Sequence, residues 1–109
     1  MKVAILIAGY LRTFENNINQ FKNNVLQNYD VDIYIYKTKN EKNDKYNNTN
    51  DWDNIKKILK PKSIIESDEL YFNNNCKINN LLNQFYKFYI LNNIKNTIEE
   101  EENIIYDVV

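Results

Sequence analysis

A chain of 109 residues, 43% hydrophobic and 27% charged, is about one small domain and long enough to bury a core. Its 14 basic and 15 acidic residues leave a formal net charge of −1, without the basic excess of a nucleic-acid-binding domain. One cysteine, Cys76, and no histidine exclude an internal disulfide framework, a cysteine zinc cage and any histidine nucleophile pair, metal ligand or pH switch. Carboxylate, lysine, arginine, tyrosine and backbone chemistry remain. The composition is also skewed, with 22 Asn, 15 Ile, 13 Lys and 9 Tyr against one Gly, one Pro, one Arg and two Ala. The abundant four have AT-rich codons, and 14% aromatic content separates the chain from a disordered asparagine tract. Against that drift the exceptions stand out, because Ala4, Ala8, Gly9 and Arg12 all fall near the amino terminus. A planar guanidinium matches a phosphate or carboxylate in bidentate fashion where lysine offers a point charge. Arg12 is therefore a candidate anion ligand, with an ion pair inside the fold as the competing reading.

Residues 2–8 (KVAILIA) form a short apolar run ending at Gly9, the pattern of a strand buried on both faces. Lys2 alone makes a poor signal-peptide n-region, and LRTF offers no small-residue cleavage site. No run reaches the roughly 18 apolar residues of a transmembrane helix. Phe14, Ile18, Phe21 and Val25, widened by Leu26, mark one helical face, with Thr13 as its N-cap and Glu15 suiting the helix dipole. A second strand alternates over 31–36, and residues 37–50 read as a long polar loop. A short helix over 51–59 stops before Pro61, and 63–66 is a third strand. Residues 67–76 are irregular. A longer helix over about 77–98 carries Ile78, Leu81, Leu82, Phe85, Phe88, Tyr89, Leu91, Ile94 and Ile98 on a broad apolar face expected to pack on the sheet. The acidic run 99–102 is unfavourable at a helix carboxyl terminus, so fraying is expected there. A fourth strand is expected over 104–109.

This β-α-β-α-β-α-β order predicts an α/β, Rossmann-like unit over 1–109 with a mainly parallel sheet, strand order 3-2-1-4 and a ligand crevice at the carboxyl ends of the strands. The turn Gly9-Tyr10-Leu11-Arg12-Thr13 lies there, ahead of a helix amino terminus whose N–H groups favour anions. A dinucleotide fingerprint needs three glycines, and only Gly9 is present. Of the Asp-x-Asp triplets, Asp30-Val31-Asp32 enters a strand at the opposite end and reads as strand-entry chemistry. Asp51-Trp52-Asp53 follows the long loop and reads as a helix cap before it reads as a metal site. Cys76, without a partner residue, reads as inert or partly buried. Asn47-Asn48-Thr49 reads as a chance match to a glycosylation acceptor in an asparagine-rich chain. Tyr34 and Tyr36 alternate with Ile33 and Ile35, so core packing is preferred over base stacking at Tyr36. Phe85, Tyr86, Phe88 and Tyr89 read as a sheet-facing helix surface.

The segment 4–14 (AILIAGYLRTF) resembles the opening of a glycosyltransferase-like family of giant viruses and some microbes that begins with an LISGxLRTF-type segment. Residues 84–87 (QFYK) and 106–109 (YDVV) fit the same pattern. The resemblance implies a GT-A-like nucleotide-sugar fold, of which this chain would be the amino-terminal part. It places Gly9, Tyr10, Arg12 and Thr13 beside the donor diphosphate, with Ala8 where a serine is often found. It also implies a divalent cation, Mn or Mg, held by a DxD-like segment expected beyond Val109; none is evident in this chain, and the catalytic residues are unassigned. The implied partner is a nucleotide-sugar, and the implied location is cytoplasmic, in host cytoplasm or virion if viral. Two readings compete with it: a non-catalytic remnant that self-associates through its exposed terminal strand, and a binder of another phosphorylated metabolite at the same turn.

Overall fold

The computed structural model describes residues 1–9, 14–38 and 52–109. Among them, β1 (Lys2–Gly9), α1 (Phe14–Phe21), a π-helical turn (Lys22–Leu26), β2 (Asp30–Thr38), α2 (Trp52–Leu59), β3 (Ser63–Ser67) and α3 (Cys76–Glu102) follow in order. Both strand pairings are parallel, β1 to β2 from Lys2↔Asp30 to Gly9↔Lys37 and β2 to β3 from Tyr34↔Ser63 to Thr38↔Ser67. The result is an α/β fold that agrees at a coarse level with a Rossmann-like layout. Among the described residues no helix is long and apolar enough to cross a membrane.

The period-two alternation of β2 builds two cores. Ile33 and Ile35 pack with Ile18 of α1 and with Ile55 and Leu59 of α2. Tyr34 and Tyr36 point the other way, into a core with Ala4, Leu91 of α3 and Tyr106. The sheet is thus the middle of three layers, which is why β1 and β2 read as apolar runs. Each fully buried large apolar side chain contributes about 1.5–3 kcal/mol.

Among the described residues the sheet has three strands, β1-β2-β3, which is the 3-2-1 part of the expected order; the expected fourth strand does not form, which corrects the four-strand order 3-2-1-4. Residues 104–109 form no strand and meet β1 at a parallel bridge, Val3↔Val108, with the Ala4 N–H on Val108 O at 2.9 Å and the Asp107 N–H on Lys2 O at 2.8 Å. The reason is polar. Asp107 accepts the Lys2 backbone N–H on its carboxylate at 2.7 Å, in place of a ladder carbonyl. Tyr106 turns inward, where its hydroxyl meets that of Tyr34 at 2.6 Å and donates to Asp32 at 2.7 Å.

These contacts close the amino ends of the strands. Asp32 also lies 3.4 Å from the Lys2 ammonium and 3.6 Å from that of Lys62, while Lys2 reaches Asp30 at 3.3 Å. Partial burial pushes the Asp32 carboxyl up, but the Tyr106 hydroxyl, Lys62 and Lys2 together outweigh it and hold the group below its usual value. Burial first, and then its bonds to Tyr34 and Asp32, push the Tyr106 phenol well above its usual value. The Asp30-Val31-Asp32 triplet is therefore structural, at the end away from the crevice.

Two helix boundaries differ from expectation. The first helix leaves α geometry after Phe21, and Lys22–Leu26 form a π-helical turn closed by Gln27 N–H to Lys22 O at 3.0 Å. The long helix does not fray over its acidic end. Lys95 pairs with Glu99 at 2.9 Å and Lys62 with Glu102 at 3.0 Å, offsetting the charge repulsion. Asn103 then takes the left-handed conformation (φ 54°) as its cap. At the other end Asn75 is the N-cap, its side chain accepting from the N–H groups of Lys77 and Ile78 at 3.0 and 3.1 Å.

Candidate functional site

A cleft of about 320 Å³ opens at the carboxyl ends of β1 and β2. Its floor is Ala8 and Gly9 from β1 and Thr38, the last residue of β2; its walls are Glu69 and the Asn80, Asn83, Gln84 and Lys87 side of α3. Gly9 ends β1 with φ +104°, a backbone conformation that side chains strain, and among the described residues a Cβ there would meet no atom within 4 Å. The backbone is therefore open to a ligand at that point.

Lys87 is the unusual member. It is 3% exposed, yet it carries an ammonium. That ammonium donates to the Thr38 hydroxyl and sits 5.6 Å from the Tyr36 ring centroid. Burial pushes its pKa down from the ordinary lysine value, and the charge of Glu69 pulls back in the opposite direction. An ammonium has three donors, and one is spent on Thr38. Among the described residues the ammonium therefore has donors left over, and it shares the cleft with the Glu69 carboxylate.

Asparagines hold the wall in place. Asn83, 4% exposed, accepts from the Leu70 N–H at 2.9 Å and donates to Leu70 O at 2.7 Å. Asn79 accepts from the N–H groups of Phe72 and Asn73 at 2.6 and 3.1 Å and donates to Leu70 O at 3.1 Å. The chain after β3 is thus clamped to α3, which sets Glu69 at the cleft beside Lys87.

Of the residues assigned to the donor, Gly9 lines this cleft. Tyr10, Arg12 and Thr13 lie outside the described residues, as do Asp51, residues 47–49 and most of the long polar loop. The helix face 85–89 is corrected in part: Phe88 packs on the second core, but Phe85 and Tyr89 are 65% and 64% exposed while Lys87 faces the sheet. Tyr36 is a core residue, buried and bonded to Ser67 at 2.8 Å. Cys76 is exposed. Sequence reasoning passed over Lys87, Thr38, Glu69 and Asn83. One signal did mark Lys87, which is the lone charged residue in 78–94.

A divalent cation does not fit the described residues. No group of three His, Cys, Asp or Glu side chains gathers among them. Asp53 is exposed and pairs with Lys56 at 3.4 Å. The cleft itself sets one carboxylate beside an ammonium, whereas a hard cation takes several oxygen ligands.

No family model matches the chain, and neither a curated protein nor a solved structure matches it.

Proposed function

We propose that this chain is the nucleotide-binding part of a GT-A-like, glycosyltransferase-like fold and takes the diphosphate of a nucleotide-sugar in the cleft above β1 and β2. The observation that supports this most is the buried Lys87 ammonium across the cleft from the open backbone of Gly9. The position agrees with the rule that open parallel sheets bind ligands at the carboxyl ends of their strands. The volume suits a diphosphate and part of its sugar, at the lower end of ordinary ligand sites. Lys87 would bind a phosphoryl oxygen and hold the charge that develops as the nucleotide leaves, with Thr38 orienting the ammonium. Asn80 and Gln84 supply neutral donors and acceptors suited to sugar hydroxyls. Arg12, three residues beyond Gly9, is the second proposed diphosphate ligand.

The test is thermal melting with UDP-, GDP- and CMP-linked sugars, with and without manganese. A ligand bound to the native state at a hundredfold excess over its dissociation constant stabilises it by about 2.7 kcal/mol. One nucleotide class should raise the Tm, and the rise should vanish in Lys87→Met. No shift with any donor, in a chain that melts cooperatively, refutes the reading. The second reading, a non-catalytic module that self-associates through its terminal segment, is favoured by the apolar groove of about 620 Å³ lined by Leu6, Phe88, Val108 and Val109 on the outer side of β1.

A further inference from the structure

Helix α3 is inverted over its first half. The sheet-facing row there is Asn83 and Lys87, 4% and 3% exposed, while Ile78, Leu82, Phe85 and Tyr89 face outward at 45%, 38%, 65% and 64% exposure. Their spacing of 4, 3 and 4 residues makes one straight stripe, and Leu81 and Tyr86, 51% and 38% exposed, flank it. At about 200 Å² per large side chain, these six leave roughly 600 Å² of apolar residue surface outward. A monomer's largest patch is about 300–600 Å². An ordinary interface needs about 800 Å² per partner, about 65% apolar at its core, so this stripe supplies what one such face requires.

We infer that the stripe is the interface of a homodimer, in which α3 packs antiparallel against α3 of a second copy about a two-fold axis. Three features select a second copy as the occupant. Residues 78–94 contain no charge other than the inward-facing Lys87, so the face can be laid on itself without like charges meeting. Apart from Lys87 and the tyrosines, the polar residues of that segment are amides, which both donate and accept and can pair with their own copies across a two-fold. The stripe is symmetric about its middle, so an antiparallel partner sets Ile78 against Tyr89 and Leu82 against Phe85. The net charge of −1 adds almost no repulsion between copies. A membrane surface would instead call for lysines along the rim of the stripe.

Sedimentation of the full chain from about 1 to about 100 μM, where interfaces of this size dissociate at their weak end, tests the inference. The expected species is 26.4 kDa, twice the 13.2 kDa chain. Phe85→Asp and Leu82→Asp should each weaken it about a hundredfold, as for a central interface residue. Both positions are exposed in the single chain, so the circular dichroism spectrum should be unchanged, and the melt should lose its dependence on chain concentration. Val109→Asp, on the terminal segment, should leave the dimer intact. A monomer at every concentration overturns the inference. So does a dimer that survives Phe85→Asp or is lost in Val109→Asp, or a stripe that binds phosphatidylcholine vesicles while the chain stays monomeric.

Discussion

Replacing Lys87 with Met and Thr38 with Val in one chain separates a ligand site from a structural bond. In the folded chain the Lys87 ammonium is desolvated and, among the described residues, hydrogen-bonded to one hydroxyl. Thr38 is 0% exposed, so removing the lysine alone would orphan its hydroxyl; the double exchange removes donor and acceptor together. Replacing buried ionic groups with apolar ones of similar volume stabilises by about 1–4 kcal/mol. Losing the cation–π contact with Tyr36 returns about 1 kcal/mol of that, for a net gain of about 0–3 kcal/mol. With roughly 2.1 cal/mol/K of unfolding entropy per residue over this length, the Tm should hold or rise by up to about 13 °C. Circular dichroism melting reads the shift, and the same melt with nucleotide-sugars should show no ligand effect. The pH dependence has a fixed sign. Folded Lys87 loses its proton at a lower pH than the unfolded lysine, whose ordinary value is 10.5. Between those two values the unfolded chain binds more protons, so the native chain gains stability as pH rises. The advantage of the double variant should therefore shrink across that window. A fall in Tm of several degrees at neutral pH refutes the reasoning, because it would mean the fold itself compensates the buried charge.

Gly9→Ala should lower stability by about 1–2 kcal/mol through backbone strain alone, since among the described residues its Cβ meets nothing within 4 Å; denaturant titration measures it, and a neutral result would show that the turn relaxes freely. Tyr106→Phe removes the donor to Asp32 and the partner of Tyr34. A loss of about 1–3 kcal/mol is expected as a lower urea midpoint. Asp32, held below its usual value, contributes stability that is complete above the ordinary carboxylate range and lost as pH falls through its folded value. Asp32→Asn should flatten the acid limb of a stability–pH profile, and an unchanged limb would assign acid unfolding to other carboxylates.

The layers of the fold were legible because β2 states its own alternation: four consecutive buried residues, Ile33 to Tyr36, cannot be covered by helices on one side only. The terminal segment was not legible. Its apolar residues read as a strand, and it keeps parallel backbone bonds to β1 at Lys2 and Ala4, but the Asp107 carboxylate takes the Lys2 N–H that a carbonyl of a fourth strand would hold. Gly9 was legible as the end of β1, where it lines the cleft, because a lone glycine after a buried strand marks the turn that follows. Lys87 was not, because nothing in a 3.6-residue period says which of two opposed faces a helix turns inward.

That choice is made at a distance. Over its 27 residues α3 is a rod of about 40 Å, and a rod has one rotation about its axis. Leu91, Ile94 and Ile98 fix that rotation by packing with Tyr34, Tyr106 and Ile104 in the sheet's second core. The same row, followed back in steps of four from Leu91, is Lys87 and then Asn83. Turning the first half to bury Phe85 would pull Leu91 from a position where it is 0% exposed, at about 2–5 kcal/mol for emptying such a site. One set of contacts at the carboxyl half therefore sets a lysine into the cleft and an apolar stripe toward solvent. Leu91→Lys should disturb both, weakening the ligand-induced shift and the self-association in a single variant. A variant that lost one and kept the other would show that the two halves of α3 turn independently.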